Sequence, residues 1–144
     1  MHRIFALFAL LFVSGLVVGS GILEEPWKPE QLLAPADLAH RITHPDQPQP
    51  LLICVGPAGP IKGSLEVGPG KEPENIDTLK SLLAKESRDR QIVIYCGCCP
   101  FIKCPNVRPA FRLLNELGFK NHRLLDLPNN LKADWIDKGY PLGE

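Results

Sequence analysis

Four of the five cysteines, Cys96, Cys98, Cys99 and Cys104, fall within nine residues, in the run CGCCPFIKC. Thiolates act as nucleophiles, as ligands for soft metals and as disulfide partners, and this spacing invites each use. A metal site would take all four sulfurs as tetrahedral ligands for zinc, Cu(I) or an iron–sulfur cluster. Structural zinc, however, normally draws on two separated CxxC pairs, and adjacent Cys98 and Cys99 are awkward to aim at one ion. A redox site would pair Cys96 with Cys99 as CxxC. Alternatively, Cys98 or Cys99 closes on Cys104 as a protecting or resolving disulfide and leaves Cys96 free. A phosphatase loop is excluded, because the arginine it needs six residues after the nucleophile is here Ile102. The fifth cysteine, Cys54, lies in the apolar run LLICV and reads as a small buried hydrophobe.

The elements around the cluster decide which sulfur leads. Residues 91–95 (QIVIY) are β-branched and aromatic and predict a buried strand. Residues 107–117 place Val107, Phe111, Leu114 and Leu117 on one stripe and stop at Gly118, predicting a helix. Cys96 therefore ends a strand and opens a loop, 96–106, that feeds a helix amino terminus. Gly97 breaks the strand pattern and puts Cys96 ahead of Cys98 as nucleophile. Cys98 would take the role if the strand ran two residues further, since the six residues from Cys98 end in a cation, Lys103. A free thiol titrates at about 8.5; unpaired amides and the positive end of the helix dipole favour the anion. Lys103 and Arg108 add cations that could hold a small anionic donor. The plainer reading makes Cys96 a small buried side chain at a strand end, and Arg108 an ordinary first-turn arginine.

Elsewhere, residues 35–42 predict a helix opened by Pro35, with Leu38 and Ile42 on one face. Residues 51–55 predict a doubly buried strand, and 56–70 a turn-rich crossing with a short strand near 65–67. Residues 75–87 predict a helix, 123–127 a strand, and 131–138 a last helix closed by Gly139, with Trp135 in the core. Trp27 reads as a surface anchor, His40 and His44 as solvated, and His122 carries no assigned role. Short buried strands alternating with helices specify an α/β fold with a mostly parallel sheet. In such sheets ligands gather beyond the carboxyl ends of the strands, where the cysteine loop lies.

IVIYC, then AFRLLNELGF, RLLDL and WIDKGYP together resemble the rhodanese-like family. There a strand ending in YC leads to a cysteine loop, a helix ending LxxxGF, a further strand and a closing WxxxGxP. LLICVGPAGPIKGSL is similar to the family's second strand and its GHIPGA segment, with Ile61, Gly63 and Ser64 in register and Pro60 before Ile61. The resemblance covers about residues 30–142. It implies a single rhodanese-like domain, about five mostly parallel strands with helices on both faces, and sulfur transfer through a persulfide on Cys96. That chemistry requires no cofactor, only a small sulfur-donor anion and a thiol acceptor. The chain differs from the pattern at four places: the second strand ends Cys54-Val55-Gly56, Pro60 stands where the family has a histidine, Asn129-Asn130 replace a glycine pair, and the loop after Cys96 is longer than the family's short cradle.

The chain carries 16 basic and 16 acidic residues in 144, and residues 1–20 contribute only Arg3 to that balance. The clustered surplus of cations needed to bind nucleic acid or a charged membrane surface is missing. An apolar share of 44% suffices for one core. Residues 1–21 combine a short basic start, an apolar run and small residues at the end, the pattern of a secretory signal; uncleaved, the run would be a membrane anchor. The expected organisation is a signal at 1–21, a proline-broken lead-in at 22–29 and one domain at 30–144, exported to the periplasm or beyond as a monomer.

Overall fold

The computed structural model describes residues 24–57, 59 and 61–143. The expected signal at 1–21 and Pro60 lie outside the described residues. Among the described residues no helix is long and apolar enough to cross a membrane.

Five strands form one sheet: β1 (Leu32–Leu33), β2 (Leu51–Cys54), β3 (Leu65–Glu66), β4 (Ile92–Tyr95) and β5 (His122–Leu125). Their order is β1-β5-β4-β2-β3 and every pairing is parallel. Three helices join them: α1 (Pro35–Thr43), α2 (Pro73–Leu83) and α3 (Val107–Glu116). The central strands LLIC and IVIY are apolar at every position because both faces are covered. On one face Ile53, Val55, Ile92, Ile94 and Leu124 pack against Leu79 and Leu83 of α2 and Val107, Phe111 and Leu114 of α3. On the other, Leu52, Cys54, Val93, Tyr95 and Leu125 pack against Leu38 of α1, Leu131 and Trp135. This is the period-two division of strand side chains between two layers.

Helix boundaries follow local chemistry. Proline opens α1 and α2 at the first helical position, where a missing N–H costs nothing. Helix α3 stops at Gly118, whose φ of +75° lets the Phe119 amide return to the Leu114 carbonyl at 3.1 Å.

Several expectations are corrected. The strand predicted over 123–127 begins a residue earlier and ends at Leu125, while the helix predicted over 75–87 begins at Pro73 and ends at Leu83. The last helix is a wide π-type turn, Lys132–Ile136. Strand β1 was not expected; it pairs Leu32 and Leu33 with Leu124 and Leu125 at the sheet edge. Trp27 is not a surface anchor. It is buried, with ring centroids 5.9 Å from Phe101 and 5.7 Å from Phe111, so the lead-in is packed under the cysteine loop. His122, at the start of β5, is buried against Phe111.

Candidate functional site

Central neighbours β2 and β4 send their connections in opposite directions, β2 toward β3 and β4 toward α3 and β5. Crevices in open α/β sheets form at such reversals, outside the carboxyl ends. The residues there are Val55 and Gly56 after β2, and Cys96 and Gly97 after β4. The Val55 amide donates to the Tyr95 carbonyl at 2.8 Å, carrying the pairing one residue past the ladder. Gly56 is set directly against Cys96: a Cβ there would fall 2.8 Å from Cys96 Sγ and collide with the Cys96 carbonyl. The glycine of Cys54-Val55-Gly56 thus keeps the space beside the sulfur open.

Gly97 has φ +83°, a left-handed conformation that turns the chain back on itself. The turn brings Cys98 Sγ to 3.1 Å from Cys96 Sγ, and Cys99 Sγ lies 3.3 Å from Cys98 Sγ. The Leu131 amide donates to the Gly97 carbonyl at 2.9 Å, and the Phe101 amide to the Leu127 carbonyl at 3.1 Å. The loop is therefore pinned to the carboxyl end of β5 and to the closing turn. Asp134 orders that turn by accepting from the Asn129 and Asn130 amides at 2.7 and 3.0 Å, which gives Asn129-Asn130 a structural role.

Cys96 is buried among apolar side chains, yet polar donors converge on its sulfur. The Cys104 thiol, the Cys98 amide and thiol, and Asn106 Nδ2 at 3.3 Å all point to it. Led by the Cys104 thiol, these donors outweigh burial and bring the Cys96 thiol down to about 5. Cys104 moves the other way: its proton is held by Cys96, and burial reinforces the rise. The two form a thiol–thiolate pair with the negative charge on Cys96. Cys98 is pushed up to about 12, first by burial and then by the neighbouring Cys96 and Cys99 sulfurs.

The amides at the mouth of α3 do not meet Cys96 directly, as the strand–loop–helix order led us to expect. Those of Asn106 and Val107 point to Cys104, whose thiol relays their polarity to Cys96. Sequence reasoning missed Asn106 altogether. It is buried ahead of α3, donating from Nδ2 to Cys96 while its Oδ1 accepts from the Lys71 amide at 3.2 Å.

Of the cations picked out in sequence, Lys103 is exposed on a one-turn helix, Phe101–Lys103. Arg108 is committed to backbone carbonyls and the lead-in and not to a cysteine sulfur. Its guanidinium pairs with Glu25 at 2.7 Å, donates to the Cys104 carbonyl at 2.9 Å and to the Ile102 carbonyl, and lies over the Trp27 ring. Arg108 thus ties the loop to the lead-in. Cys54 is fully buried on the opposite face, where burial pushes its thiol up. The sulfurs of Cys96, Cys98 and Cys104 lie within 4.8 Å of one another, three soft ligands for an ion that accepts trigonal thiolate coordination. Cys99 stands outside that trio, so the four cysteines do not converge as one tetrahedral set.

No protein-family model, curated protein or solved structure matches this chain.

Proposed function

We propose that the chain is a rhodanese-like sulfur carrier and sulfurtransferase whose nucleophile is Cys96. The observation that carries this reading is the set of donors on one sulfur: the Cys104 thiol, the Cys98 amide and Asn106 Nδ2 around a thiolate at the carboxyl end of a central strand. A persulfide also carries its charge on sulfur, so donors that hold the thiolate suit the loaded form as well. The all-parallel five-stranded sheet with helices on both faces and the IVIYC, LxxxGF and WxxxGxP matches agree with the family resemblance.

In the first step Cys96 Sγ attacks the outer sulfur of a small anionic donor such as thiosulfate. The new S–S bond forms as the donor's S–S bond breaks, sulfite leaves with the bonding pair, and Cys96 holds a persulfide anion. In the second step a thiolate acceptor takes the terminal sulfur and restores the Cys96 thiolate. Lys103 is the exposed cation we assign to the incoming anion. The reading includes export to the periplasm or beyond and action as a single copy, with no cofactor.

Mass spectrometry of the full chain after exposure to thiosulfate or inorganic polysulfide tests the proposal. The expected result is an adduct of about 32 Da, one sulfur atom, located on Cys96 whenever that sulfur is retained. Cys96→Ser should abolish both adduct and transfer. Full transfer by Cys96→Ser would move the nucleophile elsewhere; a tightly bound soft metal with no sulfur uptake would replace the carrier by a metal-binding module.

A further inference from the structure

The nearest sulfur to the proposed nucleophile belongs to the protein itself. Cys98 Sγ lies 3.1 Å from Cys96 Sγ, within the roughly 3–3.5 Å separation of reacting atoms in a near-attack arrangement. The turn at Gly97 sets that approach, and the Cβ of Leu131 stands against the turn: a Cβ on Gly97 would come within 2.8 Å of it. Cys98 is the exposed member of the cluster, whereas Cys96 and Cys104 are buried. Cys104 is also occupied, giving its thiol proton to Cys96 and receiving the first amides of α3.

We infer that Cys98 resolves the Cys96 persulfide internally, expelling the sulfane sulfur as sulfide and leaving a disulfide between Cys96 and Cys98. This deepens the sulfur-carrier reading and rests on it. In the step, Cys98 Sγ attacks Cys96 Sγ, a new S–S bond forms between the cysteines, and the persulfide S–S bond breaks with its electron pair on the departing sulfur. The Cys98 thiol proton leaves with it as hydrosulfide. The sulfane sulfur is reduced by two electrons, and the two cysteine sulfurs together are oxidised by two. With thiosulfate as donor, one turnover converts it to sulfite and hydrosulfide.

The resulting disulfide spans one intervening residue, a strained linkage of the kind that exchanges readily. Its outer sulfur, on Cys98, is the one an external thiol can reach. The recycling partner is therefore a dithiol reductant. One of its thiolates attacks Cys98 Sγ and Cys96 departs as the leaving group, which its donors hold as a stabilised anion. The second thiol then closes on the first, releases Cys98 and carries the two electrons' worth of oxidation away as the partner's disulfide. The protein so described is a sulfane-sulfur reductase, and its acceptor is the neighbouring cysteine.

The test treats the full chain, fully reduced and freed of small thiols, with thiosulfate and in parallel with inorganic polysulfide, and follows intact mass, released sulfide and the linkage map. Wild type should lose about 2 Da, release about one equivalent of sulfide and show a peptide link between Cys96 and Cys98. Cys98→Ser, a change at an exposed side chain, should retain the sulfur on Cys96 and release sulfide only when an external thiol is added. A wild type that keeps a stable persulfide without sulfide release overturns internal resolution while leaving the carrier reading intact. Sulfide release with a link from Cys96 to Cys99 or Cys104, undiminished in Cys98→Ser, overturns the assignment to Cys98. If neither protein takes up sulfur nor releases sulfide, the carrier reading fails, and this inference with it.

Discussion

A set of converging donors separates two descriptions of Cys96. Without donors, a thiol only 3% exposed in an apolar layer would keep its proton; with the Cys104 thiol, the Cys98 amide and Asn106 Nδ2 at 3.3 Å, it loses that proton well below neutrality. Asn106→Ala removes one donor from the anion but none from the neutral thiol, so the midpoint must rise. We expect the ultraviolet thiolate titration to move up from about 5 by about one pH unit, the effect of one hydrogen bond to a charged group. Alkylation of Cys96 should slow several-fold near pH 5 and change little at pH 8, where both proteins are ionised. Asn106→Asp keeps the shape but sets a carboxylate beside the sulfur, and should raise the midpoint further. An unmoved midpoint in both variants would remove Asn106 from the site. The place of Cys96 at a strand end was legible in sequence because a strand ending ahead of Gly97 has a detectable edge. Asn106 was not, since an asparagine before a helix is the commonest of caps, and here it caps nothing with its side chain. Only the folded distance reveals its role.

At the level of elements, the loop between β4 and α3 is longer than a short cradle, and its shape depends on what ties it down. One tie is the closing turn, through the Leu131 amide and the Gly97 carbonyl; the other is Arg108, which joins Glu25 to the carbonyls of Cys104 and Ile102. Arg108 in the first turn of α3 was read as a contact for an anionic donor, because helix position alone does not say which way a long side chain lies. The structure commits its guanidinium to the lead-in, whose Trp27 reads as external in the sequence because eight residues broken by prolines show no period. If Arg108 is a tie, Arg108→Ala should destabilise the fold by about 2 kcal/mol, as the half-buried Glu25 carboxylate loses its partner. Amide exchange should quicken across 97–106. In the proposed thiosulfate reaction, KM should stay within about twofold while kcat falls roughly tenfold. A KM raised more than tenfold with unchanged exchange would return Arg108 to the donor site. Strand β1 escaped prediction for a related reason: two residues cannot display alternation, and its register comes wholly from β5.

Over the whole molecule, sheet and layers were readable because doubly buried strands are written as unbroken apolar runs, whereas the charge state of buried groups at opposite ends of the sheet was not. Cys96 lies beyond the carboxyl end of β4, and His122 begins β5 at the other end. His122 is buried under Phe111, with Nε2–H donating to Asn115 Oδ1 at 2.8 Å and no partner for Nδ1 among the described residues. Burial lowers its proton affinity below the ordinary 6.5, just as the surrounding donors lower that of Cys96 from the ordinary thiol range to about 5. Both shifts have one sign in linkage. The unfolded chain binds a proton that the folded chain refuses, so stability is complete above the unfolded value and drains away as pH falls toward the folded one. The windows differ, however. Near pH 9 the raised thiols of Cys54, Cys98 and Cys104 oppose Cys96; from about pH 8 down to about 6.5 Cys96 sets the slope, at up to about 1.4 kcal/mol per pH unit, and below 6.5 His122 adds a second slope of the same limit. Urea unfolding of the reduced protein from pH 8 to pH 5 should therefore give a curve that steepens near 6.5. Cys96→Ser should flatten the upper window and leave the break, while His122→Gln should remove the break and leave the upper slope. A wild-type stability flat from pH 8 to 7 would mean that Cys96 keeps its proton in the folded protein, and the thiolate on which the proposed sulfur capture depends would be gone.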